Sequence, residues 1–375
     1  MKSKILKFCF ILILLPSLFS VSKNGYSYFR LTSNFEPTKE FTGDKIYDPY
    51  KKGKKTWKKI ALHLHSNEVS FSVLRHTPKE IYQGYHKNGY HGIVITDYMK
   101  VTDISKLQGW NLSGYEWGCN PKKKHFLTIG TDTIVPEHFP WFSSLENVQW
   151  SINELKKTGA FLVLNHPALN YAYTEDSIKN LSGFNAVEAI SVFGYYTSYY
   201  DSLLSAGRPV FAMSTDDLHY FSDSVMDQID SSPWKNFIEK SLRAGKENGE
   251  ALKRYILVNI DTVNPTSIKE ALCKGDYISV GKLHAEMPEP VVEDIGLLDG
   301  KKVFARLKRP DKIQVFGKNN RLLLETLDKT YIEYEITEKE PFVRLEIYSW
   351  GNLVLSNPFF RYNHLNELPN CEKKL

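Results

Sequence analysis

The segment Ile60-Ala61-Leu62-His63-Leu64-His65-Ser66 places two imidazoles two residues apart in an apolar run. On an extended strand residues i and i+2 share a face, so His63 and His65 project together while Leu62 and Leu64 turn to a core. Imidazoles paired this way form half of a transition-metal site. Other ligand-type residues stand at the edges of further apolar runs. Asp97 follows Gly92–Thr96, and Glu116 lies in Ser113-Gly114-Tyr115-Glu116. His125 opens the run to Gly130, His166 closes the run from Phe161, and Asp217-Leu218-His219 follows the run from Pro209. Each has an ordinary explanation when taken singly: an incidental pair, a turn at Asn165-His166-Pro167, a helix cap at Asp217. As an ordered set they describe a site that binds divalent metal and moves protons. His76, His86, His91, His138, His284 and His364 have no such placement.

The elements around these residues alternate. Short apolar runs at Ile60–His65, Gly92–Asp97, His125–Gly130, Phe161–His166, Ala186–Phe193 and Pro209–Ser214 read as strands covered on both faces. Helices between them carry legible punctuation. Thr77-Pro78 opens one that ends at Gly89, and Leu145, Val148, Ile152 and Leu155 form the buried stripe of another that stops at Gly159. Ser267 to Leu272 form a last short helix near Gly275. The pattern predicts an α/β domain over residues 57–285, with functional residues at the carboxyl ends of the strands. Residues 286–366 follow a proline-bearing acidic linker and read as short strands without helices, a small antiparallel β-sandwich with no chemistry of its own.

Composition is that of an ordinary globular chain of 375 residues, 42% hydrophobic and 24% charged. Residues 1–22 read as a signal peptide: Lys2, Lys4 and Lys7 precede an apolar core from Phe8 to Leu15, with small residues at Ser20-Val21-Ser22. The apolar stretch is shorter than a spanning helix needs, so an uncleaved anchor is the second reading and no stable membrane insertion is expected after processing. The expected location is therefore secreted, periplasmic or cell-envelope. Removing this segment takes the formal net charge from +5 to about +2, too mild for a nucleic-acid partner. Residues 23–56 read as a lysine-rich linker and 367–375 as a tail. Three cysteines outlast processing, Cys119, Cys273 and Cys371, enough for one bridge whose pair the spacing leaves open.

The ordered motifs resemble the polymerase-and-histidinol-phosphatase (PHP) metallohydrolases. The resemblance rests on His63-x-His65, Thr96-Asp97, Gly114-x-Glu116, the strand-opening His125, His166-Pro167 and Asp217-x-His219, and covers about residues 57–285. With Asn165-His166-Pro167 and Ser356-Asn357-Pro358-Phe359, the layout looks most like the carbaryl-hydrolase-like branch. The resemblance implies a distorted seven-stranded (β/α) PHP barrel before the small antiparallel β-sandwich domain. It also implies that His63, His65, Glu116 and Asp217 hold one ion, while Glu116 bridges to a second completed by His125 and His166. His219 matches a ligand of a third ion. Two departures from the family pattern, Ser70 for an aspartate and Tyr98 for a histidine, both fall on that third ion and point to a two-metal site, with Glu68 as a stand-in for the aspartate. The cofactors are then two divalent ions, Zn, Mn or Fe, and His219 is free to serve as general acid or base. Arg75, His76, Lys100 and Tyr98 are candidates to stabilise an anion near the same strand ends.

The expected activity is metal-dependent hydrolysis of a small-molecule ester, with phosphoesters favoured. A carboxylic or carbamate ester on the same metals is the near alternative, and a non-catalytic PHP-fold binding or structural module is the distant one. The sequence fixes neither the substrate nor the oligomeric state.

Overall fold

Local chemistry explains where the helices begin. The Thr77 hydroxyl accepts from the Glu80 amide, and the Glu80 carboxylate reaches back to the Thr77 amide, starting the helix Pro78–Lys87. Asn264 and Ser267 make the same reciprocal cap for Pro265–Lys274, which Gly275 closes at a φ of 72°. Ser144 caps Leu145–Lys156, whose buried side includes Val148, Ile152 and Leu155.

The computed structural model describes residues 35–50, 53, 55–69, 75–229, 251–290, 292–369 and 371, with scattered residues between 11 and 22. Its strands form two sheets. The smaller runs in the order Gly114–Trp117, Phe126–Ile129, Phe161–Leu164, Ala186–Ser191, Gly194–Tyr195, with Phe211–Ser214 beside Ala186–Ser191. The larger begins with Gly92–Ile93, Trp57–Ala61, Arg254–Asn259 and Tyr277–Lys282. It continues through Asn352–Leu355, Phe342–Ser349 and Phe359–Tyr362 to Lys45–Tyr47.

This architecture overturns the expected barrel. The sheets are mixed, and no closed (β/α) barrel is present among the described residues. Among the described residues three strand pairings are parallel: Trp57–Ala61 with Gly92–Ile93, and Ala186–Ser191 with each of Phe161–Leu164 and Phe211–Ser214. Gly114–Trp117 and Phe126–Ile129 instead form an antiparallel pair, and Arg254–Asn259 returns antiparallel against Trp57–Ala61. An apolar run covered on both faces reads alike in either direction, so burial pattern alone misassigned the pairing.

The C-terminal strands likewise do not stand as a separate sandwich. Asn352–Leu355 pairs with Tyr277–Lys282, so they extend the larger sheet. Lys302–Gly317 and Arg321–Glu335 are two long antiparallel strands with register shifts, where four short ones were expected. One buried apolar cluster runs from Leu64, Ile81 and Ile93 through Val280 to Val343, Leu345 and Ile347, joining both parts of the chain.

Cys273 and Cys371 form a disulfide, and Cys119 is a free, exposed thiol. The signal segment falls almost wholly outside the described residues, as do Lys51, Lys52 and Lys54 of the lysine run. No described helix is long and apolar enough to cross a membrane.

Candidate metal centre

The strand Trp57–Ala61 ends before the two histidines, so His63 and His65 lie in the segment that leaves it. Leu64, fully buried, bridges to Leu218, with His65 N–H donating to the Leu218 carbonyl at 3.0 Å and Leu218 N–H to the His63 carbonyl at 3.1 Å. That pairing anchors the leucines in the core and brings Asp217 against both imidazoles. Glu116 sits inside Gly114–Trp117, with its N–H held by the carbonyls of Thr96 and Asp97. His125 immediately precedes Phe126, which pairs with Trp117, so the hairpin sets His125 beside Glu116. His166 follows the next strand, Phe161–Leu164.

The result is two buried groups that could each hold a metal ion, His63–His65–Asp217 and Glu116–His125–His166. His63 Nε2 lies 3.2 Å from Asp217 Oδ1 and 3.5 Å from Glu116 Oε1. His65 Nε2 lies 3.1 Å from both Asp217 Oδ1 and Glu116 Oε2. Glu116 Oε1 is 2.9 Å from His125 Nδ1 and 3.4 Å from His166 Nε2. Glu116 therefore stands between the groups, with its two oxygens facing different imidazoles.

Glu116 Oε1 is hydrogen-bonded to His125 Nδ1 and His166 Nε2, but most of the other atoms that converge here are not. Among the described residues, His63 Nε2, both ring nitrogens of His65, Glu116 Oε2 and Asp217 Oδ1 are buried without a hydrogen-bond partner, despite contacts near 3 Å. His125 Nε2 and His166 Nδ1 are also unpartnered. Buried polar atoms are ordinarily satisfied, and leaving one unsatisfied costs about 1–3 kcal/mol. Imidazole nitrogens and carboxylate oxygens that converge with these atoms left unpartnered match the donor set of a His/carboxylate divalent site.

The charge balance agrees. Burial would raise the Glu116 carboxyl, but the imidazoles of His125 and His63 outweigh it and hold it well below the usual range. Asp217 is likewise buried yet depressed, by His63 first and then His219 and His65. His63 is pushed up in spite of its burial, by Asp217, Glu116 and Glu188. His219 behaves differently. Burial drives it down to about 4, with His65 and Arg75 adding to the effect against Asp217. Its Nδ1–H donates to the Asp217 carbonyl at 2.8 Å, and its side chain, 26% exposed, is the imidazole of this cluster that reaches solvent.

Backbone strain marks two of the ligand residues. His166 and Asp217 adopt φ values of 28° and 45°, a region that non-glycine residues rarely occupy and that concentrates at functional sites.

The remaining sequence candidates separate into near and far. Tyr98 stacks on His65, with centroids 4.3 Å apart and planes at 15°. The Arg75 guanidinium lies 5.4 Å over the Tyr98 ring, with Nη1 buried and unpartnered among the described residues. Lys100 is elsewhere, in an exposed ion pair with Glu68 at 2.9 Å, so neither residue joins the metal-ligating groups. His76 is a buried structural residue whose Nε2 accepts from the Phe221 amide. Ser70 lies outside the described residues. Asp97 is closed off: Ser66 N–H, Ser66 hydroxyl and Thr102 hydroxyl all donate to its carboxylate.

Sequence reasoning passed over Glu188, Asn165 and Thr215. Glu188 is fully buried inside Ala186–Ser191 and lies 2.7 Å from His63 Nδ1. Asn165 donates to Glu116 Oε1 at 3.0 Å while accepting from the Leu127 amide. A single acid inside Ala186-Val187-Glu188-Ala189-Ile190 was the available signal, because a charge in a fully buried run needs a partner. A cavity of about 680 Å³ lies at the opposite end of Gly114–Trp117, beside the disulfide, and is lined by none of these residues.

No family model matches the chain, and no curated protein does. Among solved structures, the chain is similar to a two-domain protein from Bacteroides vulgatus ATCC 8482 described as containing a predicted PHP-like metal-dependent phosphoesterase. The identity is 14%, the alignment covers 88% of this chain and 92% of that one, and the TM-score is 0.41. The two buried groups fit a metal-dependent hydrolase.

Proposed function

We propose that this chain is an exported, metal-dependent phosphoesterase of the PHP type, working with two divalent ions. The observation that carries this reading is the convergence of two buried groups, His63–His65–Asp217 and Glu116–His125–His166, in which His63 Nε2, His65 Nε2, Asp217 Oδ1 and Glu116 Oε2 lack a hydrogen-bond partner among the described residues. His63, His65 and Asp217 would hold one ion, His125 and His166 the other, with Glu116 reaching both. Ions bound there would activate a water near neutral pH and stabilise charge on the attacked group.

The chain's own residues supply the rest. His219 is neutral above about pH 4, and its Nδ1–H is engaged with the Asp217 carbonyl, which leaves Nε2 as a proton acceptor. That favours a base role over an acid role at neutral pH. Arg75 brings an unpartnered guanidinium N–H to Tyr98, the ring that packs on His65, and so offers a donor to an anionic substrate oxygen. A guanidinium with one N–H unpartnered among the described residues, beside a two-metal site, suits a phosphoryl group better than a neutral carboxylic or carbamate ester. Export is supported by the pattern of residues 1–22 and by the Cys273–Cys371 disulfide, a bond favoured in oxidising compartments.

The test is hydrolysis by the zinc-, manganese- or iron-loaded protein across aryl phosphomonoesters, phosphodiesters, carboxylic esters and carbamates. Phosphoester cleavage that stops on chelation and returns with metal is expected. Cleavage confined to carboxylic esters or carbamates reassigns the bond, and no hydrolysis by metal-loaded protein makes the fold a binding module.

A further inference from the structure

We infer that Glu188 is a positioning residue that couples the two metal-ligating groups, and that it does so as a carboxylate for which glutamine cannot substitute. The inference rests on the two-metal reading above and adds a residue that the reading does not use.

Glu188 touches both groups with different oxygens. Oε1 lies 2.7 Å from His63 Nδ1 and accepts from the Thr215 hydroxyl at 2.6 Å. Oε2 accepts the backbone N–H of His166 at 2.8 Å. On the first side, holding a proton on Nδ1 leaves the His63 Nε2 lone pair free, and Nε2 is the atom that points unpartnered toward Asp217 and Glu116. A carboxylate that fixes the tautomer and orientation of a ligand imidazole in this way raises its basicity toward metal. On the second side, the same carboxylate ties down His166 at its strained φ of 28°. One rigid strand residue thereby sets the ligand atom of the first group and the backbone of the second.

The chemistry of this contact explains the need for a carboxylate. Three donors converge on Glu188, and each of its oxygens accepts. An amide has one acceptor oxygen and one NH2 group. With the amide oxygen toward His63, the NH2 would face the His166 N–H, donor against donor. With the amide turned over, the NH2 would donate to His63 Nδ1 and drive the proton to Nε2, disabling that nitrogen as a ligand. Either orientation of glutamine harms one group and spares the other.

Zinc titration of the metal-free protein, followed by calorimetry and equilibrium dialysis, tests this. Wild type is expected to take up two ions. Glu188→Gln is expected to keep one near wild-type affinity and to bind the other about 10–100-fold more weakly, splitting the isotherm into two steps. Thr215→Val, which removes one donor to Glu188 and leaves both of its carboxylate oxygens in place, is expected to leave the isotherm unsplit. Glu188→Gln binding both ions as wild type does would overturn the inference. If Glu188→Gln fails to fold, zinc-loaded wild type decides: imidazole 1H–15N correlations should show His63 protonated at Nδ1 and bound through Nε2, and binding through Nδ1 overturns the coupling. Wild type that takes up no zinc would instead sink the metal-dependent reading itself.

Discussion

Asp216 and Asp217 follow one another at the end of the Phe211–Ser214 strand, and both are buried. Their surroundings differ completely. The Asp216 carboxylate accepts from the Tyr85 hydroxyl at 2.7 Å and from the amides of Leu252, Lys253 and Arg254 at 2.7, 3.2 and 2.9 Å. Among the described residues Asp217 Oδ1 has no hydrogen-bond partner, although His63 and His65 stand 3.2 and 3.1 Å away. Burial pushes Asp216 up, whereas the surrounding imidazoles hold Asp217 well below the usual range. Adjacent residues of the same type thus serve different ends. A carboxylate filled with donors is a structural clamp that ties Phe211–Ser214 to the start of Arg254–Asn259. A carboxylate left facing imidazoles is built for a cation. Asp97, filled by Ser66 and Thr102, belongs with Asp216.

The contrast breaks most visibly at Asp217. Asp217→Asn should abolish uptake of at least one ion and lower hydrolysis by about 10³-fold, while the metal-free chain keeps its circular dichroism spectrum. Unfolding in place of metal loss would make Asp217 a clamp like its neighbour. Asp216→Ala should do the reverse, stranding the Tyr85 hydroxyl and three amides. An unfolding free energy lower by about 3 kcal/mol or more is expected in urea titrations, with metal stoichiometry kept. Asp216→Asn retains an acceptor oxygen and should lose less.

His219 gives a smaller, pH-dependent effect. Its folded pKa, about 4, lies below the unfolded value near 6.5, so the unfolded chain takes the proton first as pH falls. This group therefore lowers the stability of metal-free protein between about pH 6.5 and 4 and adds no further slope below that window. After allowance for partial exposure the loss is about 1–2 kcal/mol, and urea titrations of His219→Asn at pH 7 and pH 5 should lack it. The smallest effect belongs to the exposed Lys100–Glu68 pair. Lys100→Ala should change stability by less than about 0.5 kcal/mol and leave kcat unchanged, and a tenfold fall in kcat would return Lys100 to the site.

Most residues of the two buried groups were legible because they stand at or near the edges of apolar runs, positions that combine burial with a polar side chain, while Glu116 lies inside its strand. Strand partnership was not legible. Phe126–Ile129 is fully buried on both faces and pairs antiparallel with both Gly114–Trp117 and Phe161–Leu164, while Ala186–Ser191, just as buried, pairs parallel with its long neighbours. Direction depends on loop paths and on which faces meet, and periodicity records neither. Residues 286–366 were expected as short strands, whereas Lys302–Gly317 runs on continuously and takes up its irregularity between Arg306 and Ile313 as register shifts within a long hairpin. Glu188 escaped notice for a related reason: its run was read as apolar, and the acid inside it gained meaning only once His63 and His166 were found on either side.

The central claim is that the two convergent, buried groups His63–His65–Asp217 and Glu116–His125–His166 hold metal. Elemental analysis of the purified chain, after metal loading and dialysis, measures it directly. About two equivalents of zinc, manganese or iron are expected in wild type, with at least one lost when His63→Ala and His65→Ala are combined. A wild-type chain that stays metal-free under those conditions, or a double variant that retains both equivalents, would contradict the account.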